Sequence, residues 1–498
     1  MSSCNNLPYY PLYLGGEWSD GCGKMDSHNP ATAQPWAQFA LAGNKEVEQA
    51  IAAAKQAQNT AAWRDMTATA RGKLLYKLAD LIEQHADELG RIETADSGKL
   101  ATETRQQTRY VADYYRYYAG LADKIEGATL PIDKPQMQVY TVREPIGVVL
   151  AVVPWNAQMF LAATKLAPAL AAGCSVILKA SEIAPCAMLY FARLLAEVGF
   201  PAGVVSVLCG DVENCAAPLA AHPDIDRLAF TGGTEAAQHI VRHTANNFAV
   251  TSLELGGKSP LLIFADADLE SAANGLIAGN FGASGQSCVA ASRALVQRSV
   301  LPALIENIRQ KSANIIVGDP QQAETQMGPL CTQAQIERIE QTLAAAKQQQ
   351  ATIHFGGARV TLPPPLAAGN FFQPTLVECH SADTATLQVE MFGPVMSLLA
   401  FDSEEEAIAL ANNTQYGLGS GIFTKDVARA HRVSRLIRAG ICWINTYRAI
   451  SPIAPFGGYN QSGYGREAGA EAVLEYTRTK TIWLNLSDTP MANPFVMR

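Results

Sequence analysis

A chain of 498 residues is too long for one compact core, so two or three domains sharing a cleft are expected. Its composition, 48% hydrophobic and 17% charged, is that of a folded protein and excludes a largely disordered one. A formal net charge of -8 with no Lys/Arg run argues against a nucleic-acid partner, because displacing phosphate counterions needs a basic surface.

In chain order, the opening MSSCNNLPYYPLYLGGEW lacks a basic segment followed by an apolar run, so no signal peptide is expected. Residues 45–122 read as helical, rich in Ala, Leu, Glu, Lys and Arg and broken at Ser97-Gly98. Residues 130–144 look like a strand. Over 146–257, short β-rich runs (GVVLAVV, SVILKA, VVSVL, RLAF, TSLEL) alternate with Ala-rich helical segments, the pattern of a parallel sheet covered by helices. A nucleotide-binding open α/β sheet is the default reading of such a block. A second alternation runs from Ser259 to about Asn445, with strands SPLLIF, ALVQ, VMSLLAF and GICWIN and a helix over 333–350. The tail 476–484 (YTRTKTIWL) is again a strand. It and 130–144 have no obvious sheet of their own, and strands of that kind often pair across a subunit interface, so a homodimer or homotetramer is expected. Apolar stretches such as 146–153 are too short to span a bilayer, which argues against a membrane partner. Ten cysteines (Cys4, Cys22, Cys174, Cys186, Cys209, Cys215, Cys288, Cys331, Cys379 and Cys442) show no CxxC and no zinc-ligand spacing, pointing to a reduced, cytoplasmic compartment and no metal.

Three motifs carry chemistry. FGASGQSC ends at Cys288, in a Gly/Ser/Gln-rich loop after an apolar helix, where a backbone can expose a thiol and offer its own N–H to a developing oxyanion. A free thiol titrates near about 8.5 and needs help to ionise near neutrality. The other nine cysteines read as buried hydrophobes. VVPWN ends at Asn156, at the close of a strand, where open α/β sheets place ligands; its amide suits the same oxyanion, although a Pro-Trp-Asn alone is more often a plain turn. LELGGKSP holds Glu254 between apolar residues, which raises a carboxyl's pKa toward that of a useful base; the plainer alternative is an ion pair with Lys258. A near-GxGxxG at Gly463-Tyr464-Gly465 follows no strand and has its third glycine one place late, so it is set aside.

With KASE at 179–182, FTGGT at 230–234, EMFGP at 390–394 and PFGGYNQSGYGRE at 455–467, these motifs closely resemble the aldehyde dehydrogenase superfamily in type and order, from Asn29-Pro30 to the C-terminal strand. Within it the chain is similar to the hydrolytic, non-acylating, betaine-aldehyde-dehydrogenase-like members. The resemblance implies an α/β protein with two open α/β domains, a Rossmann-like NAD-binding domain (1–126 and 146–256) and a catalytic domain (257–465), plus a small β oligomerisation segment (127–145 and 474–498). It implies oxidation of a small-molecule aldehyde: Cys288 forms a hemithioacetal held by Asn156 and its own N–H, hydride passes to NAD, and water activated by Glu254 hydrolyses the thioester. Lys165 and Glu467 match positions assigned to proton exit, with a structural salt bridge as the alternative. For the cofactor, NAD with NADP as the alternative, it implies Val153, Pro154 and Trp155, then Lys179, Ser181 and Glu182 around the adenosine ribose. Gly232, Gly233 and Thr234 would open a helix beneath the pyrophosphate, with Gly233 where many relatives carry Ser; Glu390 would hold the nicotinamide ribose and Phe392 back its ring. The Glu182 carboxylate opposes a 2′-phosphate and so favours NAD.

Substrate positions carried by the resemblance are Ala157, Thr164, Tyr447, Arg448 and Ile450. Relatives acting on betaine aldehyde have aromatics at the places of Ala157, Thr164 and Ile450, so the aromatic box is missing and betaine aldehyde is disfavoured. Arg448 suits a distal acidic group, as on a semialdehyde; an Arg on the outer surface or paired with an acid is the more ordinary reading. Two rivals remain: a CoA-acylating enzyme, whose members usually lack a glutamate at the Glu254 position, and an idle structural protein, against which the intact Cys288, Asn156 and Glu254 argue.

Overall fold

A computed structural model of the chain describes residues 7–491 and 493–496; residues 1–6, with Cys4, and 492, 497 and 498 lie outside that description. A hairpin, β1 (Leu12–Leu14) and β2 (Glu17–Ser19), precedes four long helices, α1 (Asn44–Asn59), α2 (Ala68–Gln84), α3 (Ala86–Ser97) and α4 (Ala101–Leu121). Gly98, in the left-handed region at φ 80°, ends α3 where the sequence indicates a break. The helical region is also interrupted before Thr67, whose hydroxyl caps α2 by accepting from the Ala70 N–H.

After β3 (Met137–Pro145) the chain builds a parallel sheet: β4 (Val148–Val152), α5 (Gln158–Ala172), β5 (Ser175–Ala180), β6 (Val205–Cys209), β7 (Arg227–Thr231), α6 (Thr234–Thr244) and β8 (Val250–Glu254). The order is β8-β7-β4-β5-β6, continued by the antiparallel β1 and β2. Because helices cover both faces, the central strands are continuous apolar runs. Helix α5 is buried along its whole length, which carries Lys165 into the core. From β4 the chain steps outward through β5 to β6, then crosses to the other side of β4 for β7 and β8. The carboxyl ends of β4 and β7 therefore flank the switch point at which open sheets bind ligands.

A second sheet is built by β9 (Pro260–Ile263), α7 (Leu269–Asn280), β10 (Arg293–Gln297), β11 (Thr352–Phe355), β12 (Thr375–Cys379), β13 (Val395–Phe401), β14 (Gly419–Phe423) and β15 (Ile441–Ile444), ordered β11-β12-β13-β10-β9-β14-β15 and parallel except for β11. The chain then returns to the first sheet: β16 (Gly463–Tyr464) pairs antiparallel with β8, with Glu254 opposite Gly463. Gly463 adopts φ 106°, and a Cβ there would lie 1.9 Å from the Leu253 carbonyl oxygen, so only glycine permits the approach. This return, within the span expected to be purely catalytic, carries the 455–467 segment to Glu254.

The two isolated strands pair with each other rather than awaiting a partner. β17 (Thr477–Asn485) runs antiparallel to β3, from Thr477 opposite Pro145 to Asn485 opposite Met137. The strand expected over 130–144 is divided: Thr129–Leu130 pairs with β3 separately, and the intervening segment holds Pro131 and Pro135, which have no N–H to donate. Among the described residues no helix is long and apolar enough to cross a membrane.

Candidate active site

The loop that carries Cys288 is held on both sides. It leaves α7 through a left-handed run, Ala283, Ser284 and Gly285 at φ 51°, 54° and 73°, and a Cβ on Gly285 would fall 2.2 Å from the Gly393 carbonyl oxygen. Gln286 accepts the Cys331 N–H at 2.8 Å, and the Tyr447 hydroxyl donates to the Val289 carbonyl at 2.9 Å. Between those ties Cys288 sits half-buried in the wall of a cavity of about 570 Å³. Burial, then the Glu390 and Glu254 carboxylates, push its thiol up to about 12. At rest it is a thiol, not a thiolate.

Asn156 follows β4, and its Nδ2 donates to the Gln286 carbonyl at 3.0 Å, leaving a second N–H beside the Cys288 loop in the same cavity. Glu254 closes β8 with 3% exposure, and neither carboxylate oxygen has a hydrogen-bond partner. Burial first, then the charge of Glu467, raise its pKa well above the usual carboxylate range. It is not paired with Lys258, whose ammonium burial pulls down to about 7. Behind it, Lys165 and Glu467 form a buried ion pair; Lys165 also donates to the Thr231 hydroxyl at 2.5 Å, and Thr164 donates to Glu467 at 2.7 Å.

Of the expected substrate positions, Ala157, Arg448 and Ile450 line the Cys288 cavity. Thr164 does not: its hydroxyl is turned to Glu467, and it borders a separate cavity of about 110 Å³. Tyr447 fixes the nucleophile loop instead, its ring packed against Trp443 at 4.8 Å between ring centres and tilted by 60°. Sequence reasoning missed Tyr110, Phe160 and Phe456, which give the cavity the aromatic surface absent from the positions inspected. Phe160 lies in the first turn of α5, close in sequence to the cavity-lining Ala157 that precedes the helix, a position that could have flagged it. Tyr110, whose hydroxyl donates to the Ile450 carbonyl at 2.9 Å, offered no local signal.

The expected cofactor residues gather at the carboxyl edge of the first sheet. Val153 is buried and donates to the Lys179 carbonyl at 3.1 Å, and Pro154 and Trp155 continue the turn. Lys179 pairs with Glu182 at 2.8 Å, and Ser181 Oγ accepts the Ile183 N–H at 3.3 Å. On the other side of the switch point Gly232 and Gly233 lead into α6 at Thr234, and the space where a Gly233 Cβ would stand is open, so the first-turn N–H groups are approachable. Glu390 accepts the Gly257 N–H at 3.0 Å, and a Cβ on Gly256 would strike its carboxylate. Phe392, at φ 57°, sets its ring edge-on to Trp155 at 5.5 Å, beside Ser287 and Glu390 in one narrow recess.

The sequence pattern of the aldehyde dehydrogenase family matches residues 18–482. The chain belongs to that family. It is 52% identical over 493 residues, 99% of this chain and all of the relative, to (Z)-2-((N-methylformamido)methylene)-5-hydroxybutyrolactone dehydrogenase of Acinetobacter baylyi. Among solved structures it resembles betaine aldehyde dehydrogenase of Staphylococcus aureus in complex with NAD+, with a TM-score of 0.95 and 36% identity over 98% of this chain and 97% of that one. The residues at the sheet edge fit part of a dinucleotide: an open glycine before a helix N-terminus suits phosphates, and a carboxylate beside a lysine suits a ribose.

Proposed function

We propose that the protein oxidises an aldehyde to its carboxylic acid with NAD, NADP being the alternative, through a thioester on Cys288. The observation that carries this reading is the meeting of the Cys288 thiol and the Asn156 amide in one cavity, with Asn156 tied to the nucleophile loop through Gln286. Ionised Glu254 takes the Cys288 proton through water and passes it on toward Glu467, and the freed sulfur attacks the aldehyde carbon; a C–S bond forms and the carbonyl electrons move to oxygen. Asn156 Nδ2 and the Cys288 N–H are the donors available to that oxyanion. Lys179, Glu182, the α6 turn, Glu390 and Phe392 would hold NAD, which when bound would supply the hydride acceptor. Loss of hydride from the bound carbon re-forms the carbonyl and leaves a thioester. Water then gives a proton to Glu254 and attacks the thioester carbon, the C–S bond breaks, the departing sulfur takes that proton back from Glu254, and the acid leaves. Surroundings that disfavour the Glu254 carboxylate favour its protonated form, which makes the ionised group a stronger base. Glu467 and Lys165 behind it offer the proton a way out.

The substrate class we propose is an aldehyde that carries a carboxylate. The Acinetobacter relative is named for a 5-hydroxybutyrolactone, and a 5-hydroxybutyrolactone is the ring form of a 4-oxobutanoic acid. We also propose a homo-oligomer in a reducing, cytoplasmic setting. β17 is an edge strand with Trp483 56% exposed and Leu484 and Leu486 beside it, and all nine described cysteines are free thiols. The test is NADH formation with 4-oxobutanoate, with the free dicarboxylic acid as the product even when CoA is present. An acyl-CoA product, or no reduction of NAD with any of a panel of aldehydes, would overturn it.

A further inference from the structure

Three charged side chains line the Cys288 cavity: Lys99, Glu103 and Arg448. Lys99 is committed, donating to Glu93 at 3.1 Å and to Gln107 at 2.6 Å. Glu103 accepts the Ala283 N–H at 3.2 Å through one oxygen, and its other oxygen has no partner. Arg448 has no carboxylate within ion-pair distance among the described residues. One of its nitrogens, Nη1, donates at 2.8 Å to the carbonyl of Ala278, in the last turn of α7. That contact fixes the guanidinium and leaves most of its N–H fork unspent. Its backbone is fixed too: Arg448 adopts φ 63°, Tyr447 on one side is tied to Val289, and the Ala449 carbonyl on the other accepts the Trp443 indole N–H at 2.9 Å.

We infer that Arg448 is the specificity-determining residue of this cavity, its guanidinium receiving the carboxylate of an open-chain oxo acid whose aldehyde end reaches Cys288. The inference rests on the functional reading above and deepens it by assigning the residue that selects the substrate. A planar fork matches a carboxylate through two parallel N–H···O bonds, which a neutral aldehyde cannot use. The charge lies within electrostatic range of the sulfur, since burial and the Glu390 and Glu254 carboxylates raise the Cys288 thiol and Arg448 pulls against them. Ring chemistry gives the fork a second task. A 5-hydroxybutyrolactone opens when its hydroxyl proton leaves to water and the bond from that carbon to the ring oxygen breaks, yielding an aldehyde and a carboxylate. It closes again when the carboxylate attacks the aldehyde. A carboxylate held on Arg448 is kept away from the carbon that Cys288 needs. A quaternary ammonium aldehyde meets a fixed cation instead, whatever the surrounding aromatic surface offers.

The experiment compares kcat/KM for 4-oxobutanoate, butanal and betaine aldehyde in the wild type, Arg448→Ala and Arg448→Met, the methionine keeping side-chain bulk without charge. The wild type should prefer 4-oxobutanoate. In both variants the ratio of 4-oxobutanoate to butanal should fall by roughly 10- to 100-fold, mainly through KM, as befits loss of hydrogen bonds to a charged group. An unaltered ratio in either variant, or wild-type preference for betaine aldehyde, would overturn the assignment. Butanal separates the two readings. If butanal is oxidised with NAD while the arginine substitutions leave the ratio alone, the dehydrogenase reading stands and this one fails; if no aldehyde is oxidised, both fail.

Discussion

Iodoacetamide reacts with thiolate, so its rate of labelling Cys288 reports how much thiolate the cavity permits. Burial, with the Glu390 and Glu254 carboxylates adding to it, moves this thiol from 9.0 to about 12. At pH 7 the thiolate population is then roughly a thousandfold below that of a thiol left at 9.0. A more basic thiolate is also more nucleophilic, which returns a factor of roughly 15 to 30. Labelling should therefore run about 30- to 60-fold slower than that of an unperturbed thiol and rise about tenfold per pH unit through pH 10. Peptide mass spectrometry on protein without added cofactor measures this, with exposed Cys22 as the internal reference. Glu390→Gln, which keeps an acceptor for the Gly257 N–H but removes one opposing charge, should label faster than the wild type. Rapid labelling of Cys288 at pH 7 that stays flat to pH 10 would refute the reasoning, since a resting thiolate cannot exist in the surroundings described.

Asn156→Ala should lower kcat by about 10²–10³, as loss of an oxyanion donor does, with the Kd for NAD close to wild type; a loss under tenfold would remove Asn156 from the oxyanion site. Thioester hydrolysis should slow as pH falls, because a base works only when ionised and the Glu254 pKa is raised well above 4.5. The midpoint of that limb should lie above the ordinary carboxylate range and vanish in Glu254→Gln; a profile that keeps the limb in the variant would assign it to another group. NAD should be preferred over NADP in kcat/KM by about fivefold or more, because like charges a few ångströms apart cost roughly 1 kcal/mol or more. Glu182→Gln should narrow that preference, and equal use of both cofactors by the wild type would contradict the role given to Glu182.

Much of this architecture was legible in the sequence because its signals are local. Strands buried on both faces appear as unbroken apolar runs, and Asn156, Glu254 and Cys288 each sit in a motif that also dictates the backbone around it. Features that depend on distant partners were not legible. Thr164 was placed with the substrate by the resemblance, and α5 is apolar all round, so the sequence itself does not say which face meets the cavity; the Thr164 hydroxyl is claimed by Glu467, 303 residues away. Tyr110 reaches Ile450 across 340 residues, with nothing in its own surroundings to announce it. The same holds for β3 and β17, each lacking a sheet locally because the partner stands at the other end of the chain. The reading of 130–144 as one strand passed over Pro131 and Pro135, whose two missing donors mark where the strand breaks.

The central claim, a thioester on Cys288 hydrolysed by water through Glu254, is tested most directly by mixing Glu254→Gln with NAD and an aldehyde, quenching, and mapping the adduct by peptide mass. The peptide that holds Cys288 should gain the mass of the aldehyde less two hydrogens, with about one NADH formed per site and slow turnover afterwards. Continued rapid turnover with no adduct, or an adduct on another residue, would contradict it.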